Sequence, residues 1–325
     1  MIKDKLKNYL KSRGFYQKLL DENIALTQQN KEFKKYINRN KAILEYRWIV
    51  PPGHYYSPLV DEKQDPINRR ALVDLRRPER HEKEIPGIKL IKAEQLDFLK
   101  KIKKYLDQMP DFSKRGANRY HFENDQFGKS DGVLLFLMLR ALKPSQIIEI
   151  GSGWSSALML DINERFPQDS AKLIFIEPNP ERLYSVLKNK DKQKCQIIAE
   201  KVQCVKPEIF QKLQAGDVLF IDSSHVVKTG SDVNYLLFEI LPRLKKGVIV
   251  HIHDILYPFE YLSDWVIKEK RNWNEVYAVK ALLMGDALFD ILLWQSYLVA
   301  TQRENIRELV PELADLSSSI WLKKK

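Results

Sequence analysis

The stretch Ser145-Gln-Ile-Ile-Glu-Ile-Gly-Ser-Gly-Trp-Ser-Ser-Ala-Leu-Met-Leu160 has the pattern of a strand, a turn and a helix. The β-branched residues that end at Ile150 predict a buried parallel strand. Gly151 and Gly153 then form a turn, and a helix is predicted to begin at Ser155 or Ser156. This order of elements lets a ligand approach the backbone and the positive end of the helix.

The residues around this turn distinguish between two kinds of ligand. A dinucleotide fingerprint needs a third glycine, and Ser156 stands in its place. Glu149 puts a carboxylate beside the turn, which suits a cationic ligand. Glu-Ile-Gly-Ser-Gly resembles the first motif of class I S-adenosylmethionine-dependent methyltransferases. An ordinary strand-to-helix turn remains the alternative, because a short glycine motif alone is a weak signal.

Strands and helices alternate from residue 146 onward, which indicates a parallel, doubly wound sheet. We predict an α/β, Rossmann-like fold of the class I methyltransferase type, with a seven-stranded and mostly parallel sheet. The predicted strands are 146–150, 172–177, 196–199, 217–222, 247–253, 288–294 and 318–322. The resemblance implies that the last strand is antiparallel. Helices are predicted over 180–190, 207–214 and 232–244.

Three regions are predicted along the 325 residues. Residues 1–48 form a basic helical arm, since they hold 12 Lys or Arg against 5 Asp or Glu within a net charge of +11. Residues 49–128 form a cap region with a helix over 94–109 and a segment, 120–128, that is either a lid or a surface loop. Residues 129–325 form the methyltransferase domain, whose first helix runs from a cap at Asp131 through Leu142.

Composition excludes several classes of protein. No apolar run reaches the ~18 residues of a membrane span, and the first residues do not resemble a secretory signal. We therefore expect a cytoplasmic protein in which Cys195 and Cys204 are reduced thiols. No nucleic-acid-binding motif is present, so no such partner is expected. The arm is expected to pack on its own body or on a second subunit; peripheral contact with an anionic membrane is the alternative.

Ionisable residues follow three of the predicted strands. Ligands of open α/β sheets bind at the carboxyl ends of the strands. Glu177 ends the second strand, where a carboxylate can accept two hydrogen bonds from a ribose diol. Asp222-Ser-Ser-His225 ends the fourth strand, and His253-Asp254 ends the fifth. Two carboxylates and an imidazole can hold a divalent cation, and His225 suits a general base. The alternative interpretation is that these ionisable residues cap helices or form turns.

The motifs together are similar to a bacterial class I methyltransferase family related to the macrocin-type sugar O-methyltransferases. They are Phe122-Glu-Asn-Asp, Glu-Ile-Gly-Ser-Gly, Phe-Ile-Glu-Pro, Ile-Asp-Ser-Ser-His, His-Ile-His-Asp-Ile and Trp273-Asn-Glu. The resemblance covers roughly residues 50–325. It implies S-adenosylmethionine as methyl donor and a hydroxyl of a sugar, glycan or natural-product precursor as acceptor. Donor binding is expected at Glu149, Gly151, Ser152, Gly153, Glu177 and Asp222.

The resemblance also implies roles for the polar strand ends. Asp222 and His225 match the family's metal ligand and catalytic base, and Asp254 matches a further ligand. His253 stands where the family has an acid, which favours manganese or another transition metal over magnesium, or no metal. A non-catalytic scaffold protein and an NAD-linked oxidoreductase are the rival hypotheses. A homo-oligomer is also compatible with the sequence.

Three further residue groups have simpler predicted roles. His251 is expected to be structural, and Asn274 is expected to cap the helix that it precedes. Tyr257, Trp265 and Trp273 are expected to form an aromatic wall against a sugar ring, or to fill a core.

Overall fold

A computed structural model describes residues 3–5, 17–18, 21–35, 54, 56–60, 84–116, 118–315 and 317–325. The chain divides into two compact units, Met1–Asp61 and Glu62–Lys325. Residues 21–35 of the first unit are helical, as predicted for the arm, most of which lies outside the described residues. Within the ranges given, no helix is long and apolar enough to cross a membrane. In the second unit, residues 84–128 belong to the same compact body as the sheet.

A seven-stranded sheet organises the second unit, as predicted, with the order β3-β2-β1-β4-β5-β7-β6. β1 to β5 are parallel, and β7 runs antiparallel to both of its neighbours. The strands are β1 (Gln146–Ile150), β2 (Lys172–Ile176), β3 (Cys195–Ile198), β4 (Val218–Ile221), β5 (Ile249–Ile252), β6 (Phe289–Trp294) and β7 (Ile320–Lys324). The order reverses between β1 and β4, which is where open α/β sheets bind ligands.

Among the described residues of the second unit, six α-helices of at least six residues flank this sheet, and the last of them is kinked at Gln302. They are α1 (Lys92–Ile102), α2 (Lys129–Leu142), α3 (Trp154–Arg165), α4 (Glu181–Val186), α5 (Glu275–Leu283) and α6 (Gln295–Leu309). α2 is buried on nearly every side, from Val133 to Leu139. Gly132 is required within it, because a Cβ there would lie 2.1 Å from the hydroxyl oxygen of Tyr120.

The core lies on both faces of the central strands. β4 and β5 are completely buried, which explains their continuous apolar sequences. His251 interrupts β5, but its ring stacks on Phe220 at a centroid distance of 3.8 Å and contacts Trp321 at 4.6 Å. Burial holds the pKa of His251 well below its usual value, so the ring is neutral and packs as an aromatic side chain. His251 is therefore structural, as predicted.

Several predicted boundaries differ from the observed ones. Residues 92–108 change from α1 to a 3₁₀ helix at Lys103, and the predicted helix 180–190 ends at Val186. The predicted helix 207–214 is a 3₁₀ helix, Pro207–Lys212. The predicted helix 232–244 passes from α through π to 3₁₀ geometry, ending at Leu241–Arg243, where a proline cannot continue the backbone hydrogen bonds.

Two helix starts were also predicted at the wrong residues. α3 begins at Trp154 rather than at Ser155 or Ser156. Asp131 is not the cap of α2: Gly128 takes that position, and Asp131 lies in the first turn. The Asp131 side chain lines a cavity instead, which explains why it is not used to cap the helix. Both cysteines are free thiols.

Candidate active site

A cavity of about 570 Å³ lies at the carboxyl ends of β1, β2, β4 and β5. Eight of the nine sequence-predicted site residues line it. They are Gly151, Ser152, Gly153, Glu177, Asp222, His225, His253 and Asp254. The strand ends therefore meet around one space, which is of the size that proteins use for small molecules.

The glycine turn is held tightly between two strands. Gly151 has a φ of +82°, and its N–H donates to the carbonyl oxygen of Ile176 at 3.1 Å. A Cβ at residue 151 would lie only 1.7 Å from the carbonyl oxygen of Asp222. Glycine is therefore needed here for close backbone packing as well as for its conformation.

Glu149 does not line the cavity, contrary to the expectation of direct donor contact. Its side chain is fully buried, and its two oxygens accept hydrogen bonds from the hydroxyls of Ser155, at 2.5 Å, and Ser156. Ser156 Oγ also accepts from the N–H of Gly153 at 3.0 Å. Glu149 therefore stabilises the turn through these hydrogen bonds without lining the cavity. Burial raises the pKa of Glu149 to about 8.

Glu177 stands at the tip of β2, on the other side of the turn. Its carboxylate accepts the N–H of Asn179 at 2.8 Å and the N–H of Ser152 at 3.3 Å. Because the side chain is only partly buried, it remains accessible from the cavity.

The segment 118–128 forms one wall of the cavity through Asp125, Gln126 and Phe127. Arg119 anchors it through a buried ion cluster that the sequence did not reveal. Its guanidinium is 2% exposed and bonds Asp191 at 2.6 Å and Asp161 at 2.7 Å. Asp161 also accepts the backbone N–H groups of Arg119 and Tyr120.

Hydrogen bonds within the segment stabilise the rest of this wall. The hydroxyl of Tyr120 bonds the carbonyl oxygens of Phe127 and Gly128, both at 2.9 Å. Asn124 accepts the N–H of Phe127 and donates to its carbonyl oxygen. Asp125 accepts from the indole of Trp154 at 2.9 Å, which joins the wall to the first residue of α3.

His225 is surrounded by three carboxylates. Nδ1 lies 2.9 Å from Glu275, while Nε2 lies 3.3 Å from Asp222 and 3.6 Å from Asp254. His225 and Asp254 both have left-handed backbones, with φ of +57° and +56°. Burial opposes a charge on the ring, but hydrogen bonds to Asp222 and Glu275 hold the pKa of His225 well above its usual value. This environment favours the protonated imidazole.

The predicted metal ligands Asp222, His253 and Asp254 all line the cavity, and each also contacts neighbouring protein groups. Nδ1 of His253 accepts the N–H of Asp254 at 2.9 Å, and Nε2 faces Asp131 at 3.8 Å. The ring of His225 lies between Asp222 and Asp254, with Nε2 at 3.3 Å from the first and 3.6 Å from the second. Among the residues described, no group of three or more His, Cys, Asp or Glu side chains could hold a metal ion.

The predicted aromatic wall is present only in part. Trp265 and Trp273 line the cavity, with the guanidinium of Arg271 at 4.6 and 4.5 Å from their ring centroids. Trp273 also packs on His225, with 4.3 Å between centroids. Tyr257 instead fills the core against Trp294.

Asn274 has a different role from the one predicted. It occupies the cap position of α5 but makes no side-chain cap hydrogen bond. Its amide instead accepts the N–H of Val227 at 2.6 Å and donates to the carbonyl oxygen of Val227 at 3.3 Å. Asn274 therefore holds the loop that follows β4.

A comparison of sequences identifies the central part of the chain. Residues 148–255, which carry the glycine turn and all the polar strand ends, match the family model of a methyltransferase domain. This region is similar to a methyltransferase domain. An uncharacterized protein of Archaeoglobus fulgidus is 36% identical over 135 residues, which are 41% of this chain and 59% of the relative. The chain thus spans less than two thirds of that curated relative.

Solved structures resemble the methyltransferase domain and its surroundings more distantly. The SAH-bound Podospora anserina methyltransferase PaMTH1 is 16% identical, with a TM-score of 0.41 over 75% of this chain and 91% of the other. The SAM-bound O-methyltransferase TomG of Streptomyces achromogenes, which is involved in tomaymycin synthesis, is 14% identical. Its TM-score is 0.36, over 72% of this chain and 90% of the other.

Proposed function

We propose that this protein is an S-adenosylmethionine-dependent O-methyltransferase that acts on a hydroxyl of a small molecule or saccharide. The observation that supports this most strongly is the meeting of the glycine turn, Glu177 and the Asp222–His225 pair around one cavity of the methyltransferase domain. Positioning and deprotonation of the acceptor are the tasks that such a site must perform.

The donor half of the site is assigned to the tips of β1 and β2. Gly151, Ser152 and Gly153 line the cavity, so the turn is accessible to a ligand, and Glu177 offers a carboxylate to a ribose diol. Asp222 and Asp131 add acidic side chains to the cavity, which suits a cationic sulfonium compound better than a pyrophosphate. The Ser156 hydroxyl forms hydrogen bonds with Glu149 and with the N–H of Gly153. This role of a serine in place of the third glycine further disfavours a dinucleotide.

The acceptor half is assigned to His225, Asp254 and the two tryptophans. When bound, S-adenosylmethionine supplies a methyl group on a positively charged sulfur. The methyl group would pass to the acceptor oxygen with release of S-adenosylhomocysteine, and Nε2 of His225 would take the proton of the acceptor hydroxyl. His225 would first release its own proton to solvent through the cavity, and a cationic donor bound near Asp222 would favour that release.

A saccharide acceptor is favoured by the surroundings of His225. Trp265 and Trp273 offer apolar surface at the cavity, and Arg271 and Asp254 offer hydrogen-bonding groups beside it. Such a mixture of aromatic and polar side chains suits a hydroxyl-rich ring.

Calorimetry and a turnover assay test this proposal. We expect the wild type and His225→Ala to bind S-adenosylhomocysteine with similar affinity, and Glu177→Ala to bind it more weakly. With a panel of saccharides, only the wild type should convert S-adenosylmethionine to S-adenosylhomocysteine at a substantial rate. If the wild type binds neither compound, the protein is a non-catalytic binding protein. If His225→Ala loses donor binding, His225 belongs to the donor site instead.

A further inference from the structure

We propose that Glu275 is a positioning residue that holds the imidazole of His225 with Nε2 directed into the cavity. This inference rests on the proposed function, in which His225 accepts the acceptor proton. Oε2 of Glu275 lies 2.9 Å from Nδ1 of His225, and the Glu275 side chain is 1% exposed. The two residues are 50 positions apart in the chain, so the contact arises only from the fold.

The backbone at the start of α5 holds the same histidine. The N–H groups of Asn274 and Glu275 both donate to the carbonyl oxygen of His225, at 3.1 Å each. They stabilise the left-handed backbone conformation of His225, which a residue with a side chain rarely adopts. The start of the helix therefore fixes the position of the His225 main chain.

The ring of His225 is then fixed by contacts on three sides. Trp273 packs against it, Glu275 binds Nδ1, and Asp222 faces Nε2. A hydrogen bond from Nδ1–H to a carboxylate places the free lone pair of a neutral imidazole on Nε2. Nε2 is the nitrogen on the cavity side, where an acceptor hydroxyl can reach it. Without Glu275, a rotation of the His225 ring would exchange the positions of Nδ1 and Nε2.

A purely structural role does not explain a carboxylate at this position. Burying a charged group is costly unless it is well paired, and Oε1 of Glu275 has no hydrogen-bond partner among the described residues. An apolar side chain of similar volume would fill the same space at lower cost. The pairing with Nδ1 is the interaction that only an acceptor oxygen can provide.

Two variants separate positioning from packing. Glu275→Met keeps the volume but removes the acceptor oxygen, whereas Glu275→Gln keeps an oxygen that can accept from Nδ1–H. We expect both to bind S-adenosylhomocysteine within about twofold of the wild type by calorimetry. Glu275→Met should lower the methyl-transfer rate by about a hundredfold, the size of a general-base contribution, without changing the KM for the donor. Glu275→Gln should restore most of that rate.

Nuclear magnetic resonance of the His225 ring nitrogens gives a readout that needs no acceptor. Glu275→Met should change their long-range ¹H–¹⁵N correlations, and Glu275→Gln should retain the wild-type pattern at Nδ1. Glu260→Met is the control, because Glu260 bonds Tyr277 and is not among the residues that line the cavity.

An unchanged ring spectrum in a folded Glu275→Met protein would overturn the positioning role. Loss of S-adenosylhomocysteine binding in that variant would overturn it too, since the carboxylate would then support the whole site. If Glu275→Met does not fold, Glu275→Gln decides alone: a reoriented ring there contradicts the proposal, and a wild-type pattern supports it. Failure of the wild type to bind S-adenosylhomocysteine would instead refute the proposed function and leave the ring comparison intact.

Discussion

The carbonyl oxygen of Asp222 occupies the space that a side chain at Gly151 would need, 1.7 Å from an ideal Cβ. The tips of β1 and β4 are thereby packed backbone to backbone. Since Gly151 also has a φ of +82°, Gly151→Ala must both strain the turn and separate the strands. We expect it to lower the free energy of unfolding by about 2–4 kcal/mol and to weaken S-adenosylhomocysteine binding.

Gly153→Ala is the matched control for that experiment. A Cβ at residue 153 would meet only the Arg182 side chain, Cδ at 3.0 Å and Cγ at 3.6 Å, and that side chain can move. Urea unfolding should therefore show a much smaller loss of stability than in Gly151→Ala. Equal losses in the two variants would contradict the importance of the contact with Asp222.

Glu149 should make stability depend on pH. Burial raises its pKa in the folded protein from 4.5 to about 8, so the folded state favours the protonated acid. The resulting stability is fully present below pH 4.5 and is lost as the pH rises from about 4.5 to about 8. Each pKa unit corresponds to about 1.4 kcal/mol, so the loss should amount to a few kcal/mol.

Glu149→Gln tests this pH dependence, because the amide cannot ionise but can still bond Ser155 and Ser156. Urea unfolding between pH 5 and pH 8 should show a shallower decline of stability in the variant than in the wild type. Identical declines in the two proteins would mean that Glu149 is not the group responsible.

The buried cluster around Arg119 should be a major source of stability for the cavity wall. Arg119→Met leaves Asp161 and Asp191 buried without their cation, and breaking a buried ion pair in this way typically costs about 3–5 kcal/mol. Thermal unfolding measures the loss. Arg307→Met is the control: it removes an exposed pair with Glu304, and less than about 1 kcal/mol is expected. If the two variants are equally stable, the cluster does not anchor the wall.

The sequence was sufficient to predict the sheet because the strands carry their own signals. The apolar residues of β4 and the glycines after β1 indicate a buried strand and a turn regardless of what surrounds them. The clustering of Glu177, Asp222, His225 and Asp254 followed from a general property of parallel sheets, whose carboxyl ends lie at one edge.

The contacts within the site could not be predicted in the same way. Arg119 meets Asp161 and Asp191 across 42 and 72 residues of chain, and no local pattern specifies such pairings. Glu149 was correctly recognised as unusual inside a strand, but only the fold shows that two serines of α3 turn back to bind it. An acid in the first turn of α5, at Glu275, was an available signal, yet acids are common there for helix stability alone.

Tyr120 should link the stability of the wall to binding in the cavity. Its hydroxyl bonds the carbonyl oxygens of Phe127 and Gly128, and Phe127 lines the cavity. Tyr120→Phe removes these bonds without changing the packing of the ring, so we expect a loss of about 1 kcal/mol in stability. Calorimetry should also show a few-fold weaker affinity for S-adenosylhomocysteine, because the segment is held less firmly. Tyr184→Phe, at a tyrosine that is 46% exposed, serves as the control and should change neither quantity. Unaltered stability and affinity in Tyr120→Phe would show that the other hydrogen bonds of the wall are sufficient to hold it.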